Sequence, residues 1–320
     1  MGTLLDPATG SFLDGMRAAG GKPLYEQTIE ETRAVISAVS QQLAPPVSDV
    51  HSAVDRRIPV AGGDIRIRIY TPRPLAADAA IPVVLHYHGG GFIAGDVDTH
   101  DSIARYLCRQ ADVAVVGVDY RLAPEHRFPV AVEDAYAAAL WAADHAPEIH
   151  GDRSRIAVAG DSAGGNLAAV VCQLAKTRGG PAVAFQALIY PTVDFTLKSH
   201  YPSRLQFGGG DYFLSTRDME FFRDQYLSDP ANEANDPRVS PLAASDLRGL
   251  PPALVVTSGC DLLRDEGKAY ADRLAAAGVP VEYRCFEGTI HACMSFAAAI
   301  PRGLDALAFV ASRLRTALWS

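Results

Sequence analysis

The chain has 320 residues, of which 21% are charged and 48% belong to the hydrophobic set AVILMFWYC. These proportions are typical of a globular protein rather than a disordered one, and the length suffices for one large α/β domain or two small ones. The formal net charge is −8, and no block rich in Lys and Arg occurs. Nucleic acid is therefore excluded as an expected partner, because its binding needs a basic surface.

Neither a secretory signal nor a membrane-spanning segment is predicted. Residues 1–20 lack a charged and then apolar pattern, and no apolar run approaches the roughly 18 residues of a membrane span. The cysteines are odd in number and irregularly spaced, which predicts buried free thiols in a reducing compartment (Cys108, Cys172, Cys260, Cys285 and Cys293). We expect a soluble cytoplasmic protein without membrane insertion.

The first 70 residues carry two different patterns. Residues 11–44 show a helical period that ends at Pro45-Pro46, and this segment is too small to form its own core, so it must lie on another part of the chain. Residues 64–70 alternate strictly between apolar and polar side chains. That alternation predicts a half-exposed strand at an antiparallel edge of a sheet.

Continuous apolar runs then alternate with helical stretches. The runs are typical of strands covered on both faces and lie at 83–85, 113–118, 156–159, 185–190 and 254–256. The helical stretches lie around 99–110, 131–145, 164–177 and 264–277. A last strand at 281–286 and an amphipathic helix with Leu304, Leu307, Val310 and Leu314 close the chain. This order predicts a mostly parallel sheet with helices on both faces.

Residues 192–240 interrupt the alternation with three consecutive glycines, turn residues and clustered aromatic side chains. We expect helical material above the carboxyl edge of the sheet, where sites of α/β proteins lie. The predicted organisation is an N-terminal part of a cap at 1–50, a cap insertion at 192–240, and a core in two parts at 51–191 and 241–320.

The sequence Gly160-Asp161-Ser162-Ala163-Gly164 follows a predicted strand and precedes a predicted helix. A G-x-S-x-G pattern in this position is typical of a nucleophile elbow, where glycines avoid collisions around a strained serine. The alternative is a turn that is merely rich in Gly and Ser. The rest of the chain must decide between the two.

A glycine-rich loop follows the strand at 83–87 and reads His88-Gly89-Gly90-Gly91-Phe92. Its backbone can approach a ligand closely and direct N–H groups at a developing negative charge. We take Gly90 and Gly91 as the preferred donors, with Gly89 in the same candidate oxyanion hole and Ala163 as the donor from the elbow. A phosphate-binding loop is the alternative, but it would need a Walker or dinucleotide pattern, which is absent.

An acid and a base follow in the chain order expected for such a site. Asp261 comes just after the run at 254–256, and His291 comes after the last strand. Asp265 and Glu266 are nearby alternatives for the acid, although their position suits charge pairing at a helix start.

The other eight histidines are weaker candidates for the base. The expected chain order disfavours those that precede Asp261, among them His51, His100, His126, His145, His150 and His200. His86 and His88 share one strand face like metal ligands, yet no carboxylate or Cys partner stands nearby in the sequence, so no metal is expected. Cys293 could be a thiol nucleophile, but it is not on an elbow, and core packing is favoured.

Longer segments carry a family resemblance. Residues 119–129 with Glu133-Asp134, residues 210–214 and residues 236–242 are similar to signature segments of the hormone-sensitive-lipase-like esterases, bacterial family IV of the α/β-hydrolase superfamily. The resemblance runs from about residue 55 to the C-terminus and is weaker in the N-terminal cap.

The resemblance implies an α/β-hydrolase fold with a mostly parallel eight-stranded sheet and a helical cap. It implies hydrolysis of a small-molecule ester without metal or organic cofactor, with Ser162 as nucleophile, Asp261 as acid and His291 as base. The loop glycines and Ala163 would match the oxyanion hole. Family members favour short to medium acyl chains, and many dimerise through the last strand.

Two positions depart from the family pattern. Leu262 stands where proline is usual after the acid, and Ala292-Cys293 replaces the usual Gly-Phe after the histidine. Neither change removes a catalytic group, and both bear on acyl preference.

Two further functions remain open from the residues. The same fold serves as a ligand receptor in proteins similar to the plant gibberellin receptors, which lack the catalytic histidine, whereas His291 is present here. A triad could also act on amides, lactones or acetylated small molecules. The aromatic residues of the insertion could wall an acyl pocket, but we expect most of them to pack the cap onto the core (Phe207, Tyr212, Phe213, Phe221 and Phe222).

Overall fold

The computed structural model describes residues 4–197 and 201–320. Eight strands form its central sheet: β1 Ser52–Val60, β2 Gly63–Thr71, β3 Ile81–Tyr87, β4 Ala114–Asp119, β5 Gly151–Asp161, β6 Phe185–Ile189, β7 Ala253–Cys260 and β8 Val281–Ile290. Their spatial order is β1-β2-β4-β3-β5-β6-β7-β8. The strands from β3 to β8 are parallel, and β2 is antiparallel to both β1 and β4. The prediction of a mostly parallel eight-stranded sheet is confirmed.

Ten α-helices lie within the described residues: α1 Pro7–Ala19, α2 Ile29–Leu43, α3 Asp101–Ala111, α4 Val130–Asp144, α5 Ala163–Arg178, α6 Pro202–Phe207, α7 Thr216–Tyr226, α8 Pro230–Glu233, α9 Arg264–Ala276 and α10 Pro301–Trp319. The chain passes through α3 from β3 to β4 and through α4 from β4 to β5, moving across the sheet in opposite directions. Right-handed crossovers therefore place α3 and α4 on opposite faces. Helix α10 packs beside α3, and α5 packs beside α4.

The inner strands are fully covered because both faces of the sheet carry helices. Every residue of β3 and of β7 is buried, which explains their continuous apolar sequences. Their carboxyl ends lead directly into the glycine loop and into Asp261. The architecture thus delivers the candidate site residues to one edge of the sheet.

One sequence prediction is corrected near the N-terminus. Strand β2 alternates as expected, but it is not the edge strand, because β1 pairs along its whole length outside it. β1 is half exposed and has Pro59 within it, so its sequence gives a weak strand signal. The helical period predicted at 11–44 belongs to two helices, α1 and α2, separated by the short 3-10 helix Leu24–Glu26.

The N-terminal segment contacts helix α7 directly and meets the inserted segment again at Phe296. Asp218 at the start of α7 accepts a 3.2 Å hydrogen bond from the backbone N–H of Tyr25. Phe12 and Phe213 both contact the ring of Phe296, with ring centroids 5.0 and 5.1 Å away. Within the described residues, no helix combines the length and the apolar character needed to cross a membrane.

A buried ion pair fixes the segment between β4 and α4. Asp134 is 1% exposed in its side chain and accepts from the guanidinium of Arg121 at 2.6 and 2.8 Å. It also accepts from the backbone N–H of Arg121 at 3.0 Å. One carboxylate therefore holds both the side chain and the backbone of this connection.

Replacing Asp134 with alanine should lower the free energy of unfolding by about 3–5 kcal/mol, because the Arg121 charge would remain half-buried without its partner. Urea unfolding followed by circular dichroism measures the loss. The control is Asp272→Ala, which removes the exposed pair with Lys268 in α9 and should cost about 0.5 kcal/mol or less. Equal losses in the two variants would contradict the role given to Asp134.

Candidate active site

Ser162 occupies the sharp turn between β5 and α5. Its backbone has φ 55° and ψ −116°, a conformation that non-glycine residues rarely adopt. The turn is held by hydrogen bonds from Ser162 N–H to the Ile189 carbonyl (2.9 Å) and from Asn166 N–H to the Ser162 carbonyl (3.0 Å). A Cβ on Gly164 would collide with the carbonyl of Tyr87, which explains the glycine at this position.

His291 links Ser162 to Asp261. Its Nε2 lies 2.9 Å from Ser162 Oγ, and its Nδ1 lies 2.8 Å from Asp261 Oδ2. Because an ionised carboxylate can only accept hydrogen bonds, Nδ1 carries the proton and Nε2 presents its lone pair to the serine hydroxyl. Asp261 is 1% exposed and His291 is 5% exposed, whereas Ser162 is half-buried and remains reachable.

Asp261 is fixed by the turn that follows β7. Its Oδ1 accepts the backbone N–H of Leu263 at 2.9 Å, and this leaves Oδ2 for His291. Asp265 instead pairs with Arg264 and accepts the N–H of Ser203. The structure therefore brings Asp261 to the histidine and engages Asp265 elsewhere.

Glu266 is buried in the first turn of α9. It accepts the backbone N–H of Val193 at 2.8 Å and pairs with Arg204 of helix α6. Burial raises the pKa of Glu266 to about 7, against the opposing effect of Arg204. This carboxylate ties α6 to the core, and it serves packing rather than His291.

Tyr190 is a neighbour of His291 that the sequence did not single out. It follows β6 with φ 31°, is buried, and packs its ring edge-on to the imidazole with centroids 5.0 Å apart. The sequence gives no sign of the strained backbone of Tyr190 or of its contact with His291, because both depend on the tertiary structure.

The glycine loop lies against Ser162 with its backbone in conformations that favour glycine: φ is 122° at Gly90 and 62° at Gly91. The N–H groups of Gly90, Gly91 and Ala163 donate to no acceptor among the described residues. They are therefore available for a substrate oxygen.

Gly89 differs from its expected role as a direct donor. Its N–H donates to Asp161 Oδ1 at 3.0 Å. An amide that is already hydrogen-bonded to a carboxylate is not available for an oxyanion, so Gly89 anchors the loop instead.

Phe222 of helix α7 covers the glycine loop. A Cβ on Gly91 would lie 2.6 Å from Phe222 Cγ, so the ring rests directly on that glycine. Phe207 and Phe222 are buried. Tyr212, Phe213 and Phe221 are half-buried, and Tyr212 packs edge-on to Phe207. Most of these aromatic residues pack within the cap, and Phe222 is the one described here that reaches the loop.

Three histidines lie close together beneath the glycine loop. The ring of His100 is 6.0 Å from that of His86 and 5.5 Å from that of His88. His88 directs Nδ1 to the Gly89 carbonyl at 2.8 Å. In the part of the chain that the structure describes, no group of three or more His, Cys, Asp or Glu side chains has the arrangement of a metal site. His200 lies outside the described residues.

The five cysteines are free thiols, and four of them are buried. Cys293 is 1% exposed, and burial raises its pKa to about 11, which opposes formation of a thiolate nucleophile. Its Sγ lies 3.6 Å from Ser258 Oγ.

Leu262 is also buried, and its carbonyl accepts the Ser203 hydroxyl of α6. Leu262 and Cys293, which both stand at positions that depart from the family pattern, thus contribute to packing.

Comparison with known proteins gives a consistent picture. Residues 84–295 match the model of a family described as having the alpha/beta hydrolase fold. The carboxylic ester hydrolase LipN of Mycobacterium tuberculosis is 45% identical over 91% of this chain and 77% of its own length. An ethyl acetate hydrolase of Pseudomonas putida is 35% identical over 97% of this chain and 98% of its own.

Solved structures agree over nearly the whole chain. An ester hydrolase from the metagenome of Lake Arreo, in complex with a derivative of bipyridine phosphonate, superposes with a TM-score of 0.93 at 39% identity, covering 99% of this chain and 100% of that one. A hyperthermophilic esterase of the archaeon Pyrobaculum calidifontis has a TM-score of 0.92 at 40% identity, covering 98% and 99%.

Proposed function

Because this chain belongs to the hormone-sensitive-lipase-like family of α/β-hydrolases and is a carboxylic ester hydrolase, we propose that Ser162, His291 and Asp261 form its catalytic triad. The observation that carries the proposal is the continuous chain of two hydrogen bonds, 2.9 Å from Ser162 to His291 and 2.8 Å from His291 to Asp261. The strained turn at Ser162 supports it, since such strain is characteristic of a nucleophile elbow.

In the proposed reaction His291 Nε2 takes the Ser162 proton as Oγ attacks the ester carbonyl. Asp261 holds the imidazole in the tautomer that can accept this proton and stabilises the imidazolium that results. The negative oxygen of the tetrahedral intermediate accepts from the free N–H groups of Gly90, Gly91 and Ala163. His291 then protonates the leaving alcohol, and a water molecule repeats the sequence on the acyl-enzyme.

Substituting Ser162 with alanine should lower kcat for a nitrophenyl ester by roughly 10⁴- to 10⁶-fold without unfolding the protein. The assay is paired with circular dichroism, and Ser312→Ala, at an exposed position of α10, serves as the matched control. The wild type should also take up one organophosphonate per chain, mapped to the peptide that contains Ser162.

Retained turnover in a clean Ser162→Ala preparation would refute the triad. A wild type that binds esters but is neither labelled nor active would favour a non-catalytic receptor.

We propose that the substrates carry short to medium acyl chains. Phe222 supports this, because its ring lies on Gly91 and restricts the space beside the proposed oxyanion hole. The relative named as an ethyl acetate hydrolase is consistent with a small substrate.

The rate over nitrophenyl esters from acetyl to palmitoyl should peak at short or medium chains. Phe222→Ala should shift the maximum towards longer chains, because truncation of the ring opens the space above Gly91. Phe221→Ala, at the neighbouring half-buried position, should leave the maximum unchanged. A wild-type maximum at palmitoyl would contradict the proposed acyl preference.

We propose a homodimer through the last strand. Strand β8 lies at the end of the sheet with β7 as its neighbour, and alternate residues from Glu282 to Arg284 are exposed. An edge strand offers unpaired backbone groups to a second copy. Light scattering coupled to size exclusion should give twice the 34.1 kDa chain mass, and the chain mass itself would contradict the dimer.

A further inference from the structure

The guanidinium of Arg33, on helix α2, binds the segment that follows the glycine loop. Its Nε donates to the Ile93 carbonyl at 2.8 Å, and its Nη2 donates to the Ala123 carbonyl at 3.0 Å. Nη1 and Nη2 also donate to the two carboxylate oxygens of Glu125, at 2.9 and 2.7 Å. One planar group therefore makes four hydrogen bonds at once, which the fixed fork of an arginine allows and the single ammonium of a lysine does not.

The two carbonyl contacts of Arg33 differ in setting from its ion pair. Ile93 and Ala123 are buried, and a buried carbonyl without a donor is costly, so the positions of both peptide groups depend on the guanidinium. Glu125 is exposed. Hydrogen bonding to Arg33 lowers the pKa of Glu125 to about 2, so the carboxylate is ionised under assay conditions. An exposed pair of this kind contributes little by itself.

Two peptide groups connect Arg33 to a proposed oxyanion donor. The peptide group between Ile93 and Ala94 accepts from Arg33 through its carbonyl. The N–H of that same peptide group donates to the Gly90 carbonyl at 3.0 Å. The Gly90 carbonyl belongs in turn to the peptide group that ends in the Gly91 N–H, which donates to no acceptor among the described residues. The hydrogen bonds therefore run head to tail from the guanidinium to the Gly91 N–H.

The turn at Gly90 needs contacts from outside to keep this alignment. A Cβ on Gly90 would lie 2.1 Å from the Ala94 carbonyl oxygen, so the backbone closes tightly on itself. Phe92, within the turn, has φ 66°, and its ring stacks on Tyr226 with centroids 4.0 Å apart. A non-glycine residue at such a φ is strained and persists only where its surroundings hold it. The guanidinium of Arg33 supplies one of these restraints, since it holds the next residue, Ile93.

We propose that Arg33 is a positioning residue of the oxyanion hole, which fixes the turn after Gly91 and polarises the Gly91 N–H through two peptide groups. This inference rests on the proposed function of the site. Hydrogen bonds in a chain strengthen one another, and a positive charge at the head of the chain makes the last N–H a better donor. The gain falls on the tetrahedral intermediate, because the negative charge develops there and not on the bound ester.

Arg33→Met keeps an apolar stem but removes every donor, and it should lower kcat by roughly 5- to 30-fold, less than the loss of a whole oxyanion donor. KM should stay within about 2-fold, because acylation and deacylation both form a negative oxygen and both slow. The factor should be the same for nitrophenyl acetate and nitrophenyl hexanoate, since all esters share the carbonyl oxygen. Loosening of the cap would instead change KM or the dependence on chain length.

The experiment measures kcat and KM of both esters and the inhibition constant of a trifluoromethyl ketone, which mimics the tetrahedral intermediate. For Arg33→Met the inhibition constant should rise by the factor by which kcat/KM falls. Glu125→Gln removes the charge of the ion pair but leaves both carbonyl contacts, so it should keep kcat within about 2-fold. Lys22→Ala, which removes the exposed pair with Glu31 of the same helix, is the matched control and should change neither quantity. Arg33→Gln applies the same test if Arg33→Met does not fold.

The result can be separated from failure of the proposed triad. If the wild type is labelled at Ser162 and turns over ester, the triad stands whatever the Arg33 variants do. A folded Arg33→Met variant with wild-type kcat and inhibition constant would then overturn the role of Arg33. So would a loss that falls on KM or differs between the two esters, or a Glu125→Gln variant as impaired as Arg33→Met.

Discussion

The backbone conformation of Ser162 is the constraint on which the rest of the site depends. At φ 55° and ψ −116° the residue is strained, and it keeps this conformation because neighbouring strands and the first turn of α5 hydrogen-bond both sides of it. The turn projects Oγ towards His291 and leaves the N–H of Ala163 without an internal partner. It also places Asp161 beneath the loop of the neighbouring strand β3. One short turn thus sets the positions of the Ser162 hydroxyl, of the Ala163 N–H and of Asp161, which anchors the glycine loop.

Two buried Asp–His contacts flank this turn, Asp261 with His291 and Asp161 with His100. They differ in the partners of the imidazole nitrogens. In His291 the second nitrogen lies 2.9 Å from the Ser162 hydroxyl, whereas in His100 Nδ1 lies 3.1 Å from the Thr99 hydroxyl and Nε2, beside Asp161, accepts the Gly89 N–H. Both carboxylates also accept one backbone N–H, from Leu263 and from Gly89. The same pair of side chains therefore contacts the serine hydroxyl on one side of the turn and the glycine loop on the other.

The cap is joined to this site through several independent contacts. Glu266, in the first turn of α9, pairs with Arg204 of α6, and Phe222 of α7 rests on Gly91. Movement of the inserted helices would therefore displace the turn that follows Asp261 and the glycine loop. The side chains of the inserted helices therefore touch the candidate site from two directions.

Much of the site could be predicted from local sequence because each component has a strong local signal. Continuous apolar runs marked β3, β5 and β7, and the polar or glycine residues just beyond them marked the carboxyl edge of the sheet. Strand β1 gave no such signal, because it is half exposed and contains a proline. The partners of Gly89, Tyr190 and Glu266 could not be predicted, since each lies far away in the chain.

His100 shows this limit most clearly. The order of residues along the chain disfavours it as a base, yet order says nothing about its contact with a carboxylate 61 residues away. The sequence by itself determined the fold class, the serine turn, the glycine loop and the order of the candidate acid and base, because these are read from patterns along the chain. Only the tertiary structure decided which N–H groups have partners and which carboxylate meets which histidine, because hydrogen bonds between distant segments are set by packing.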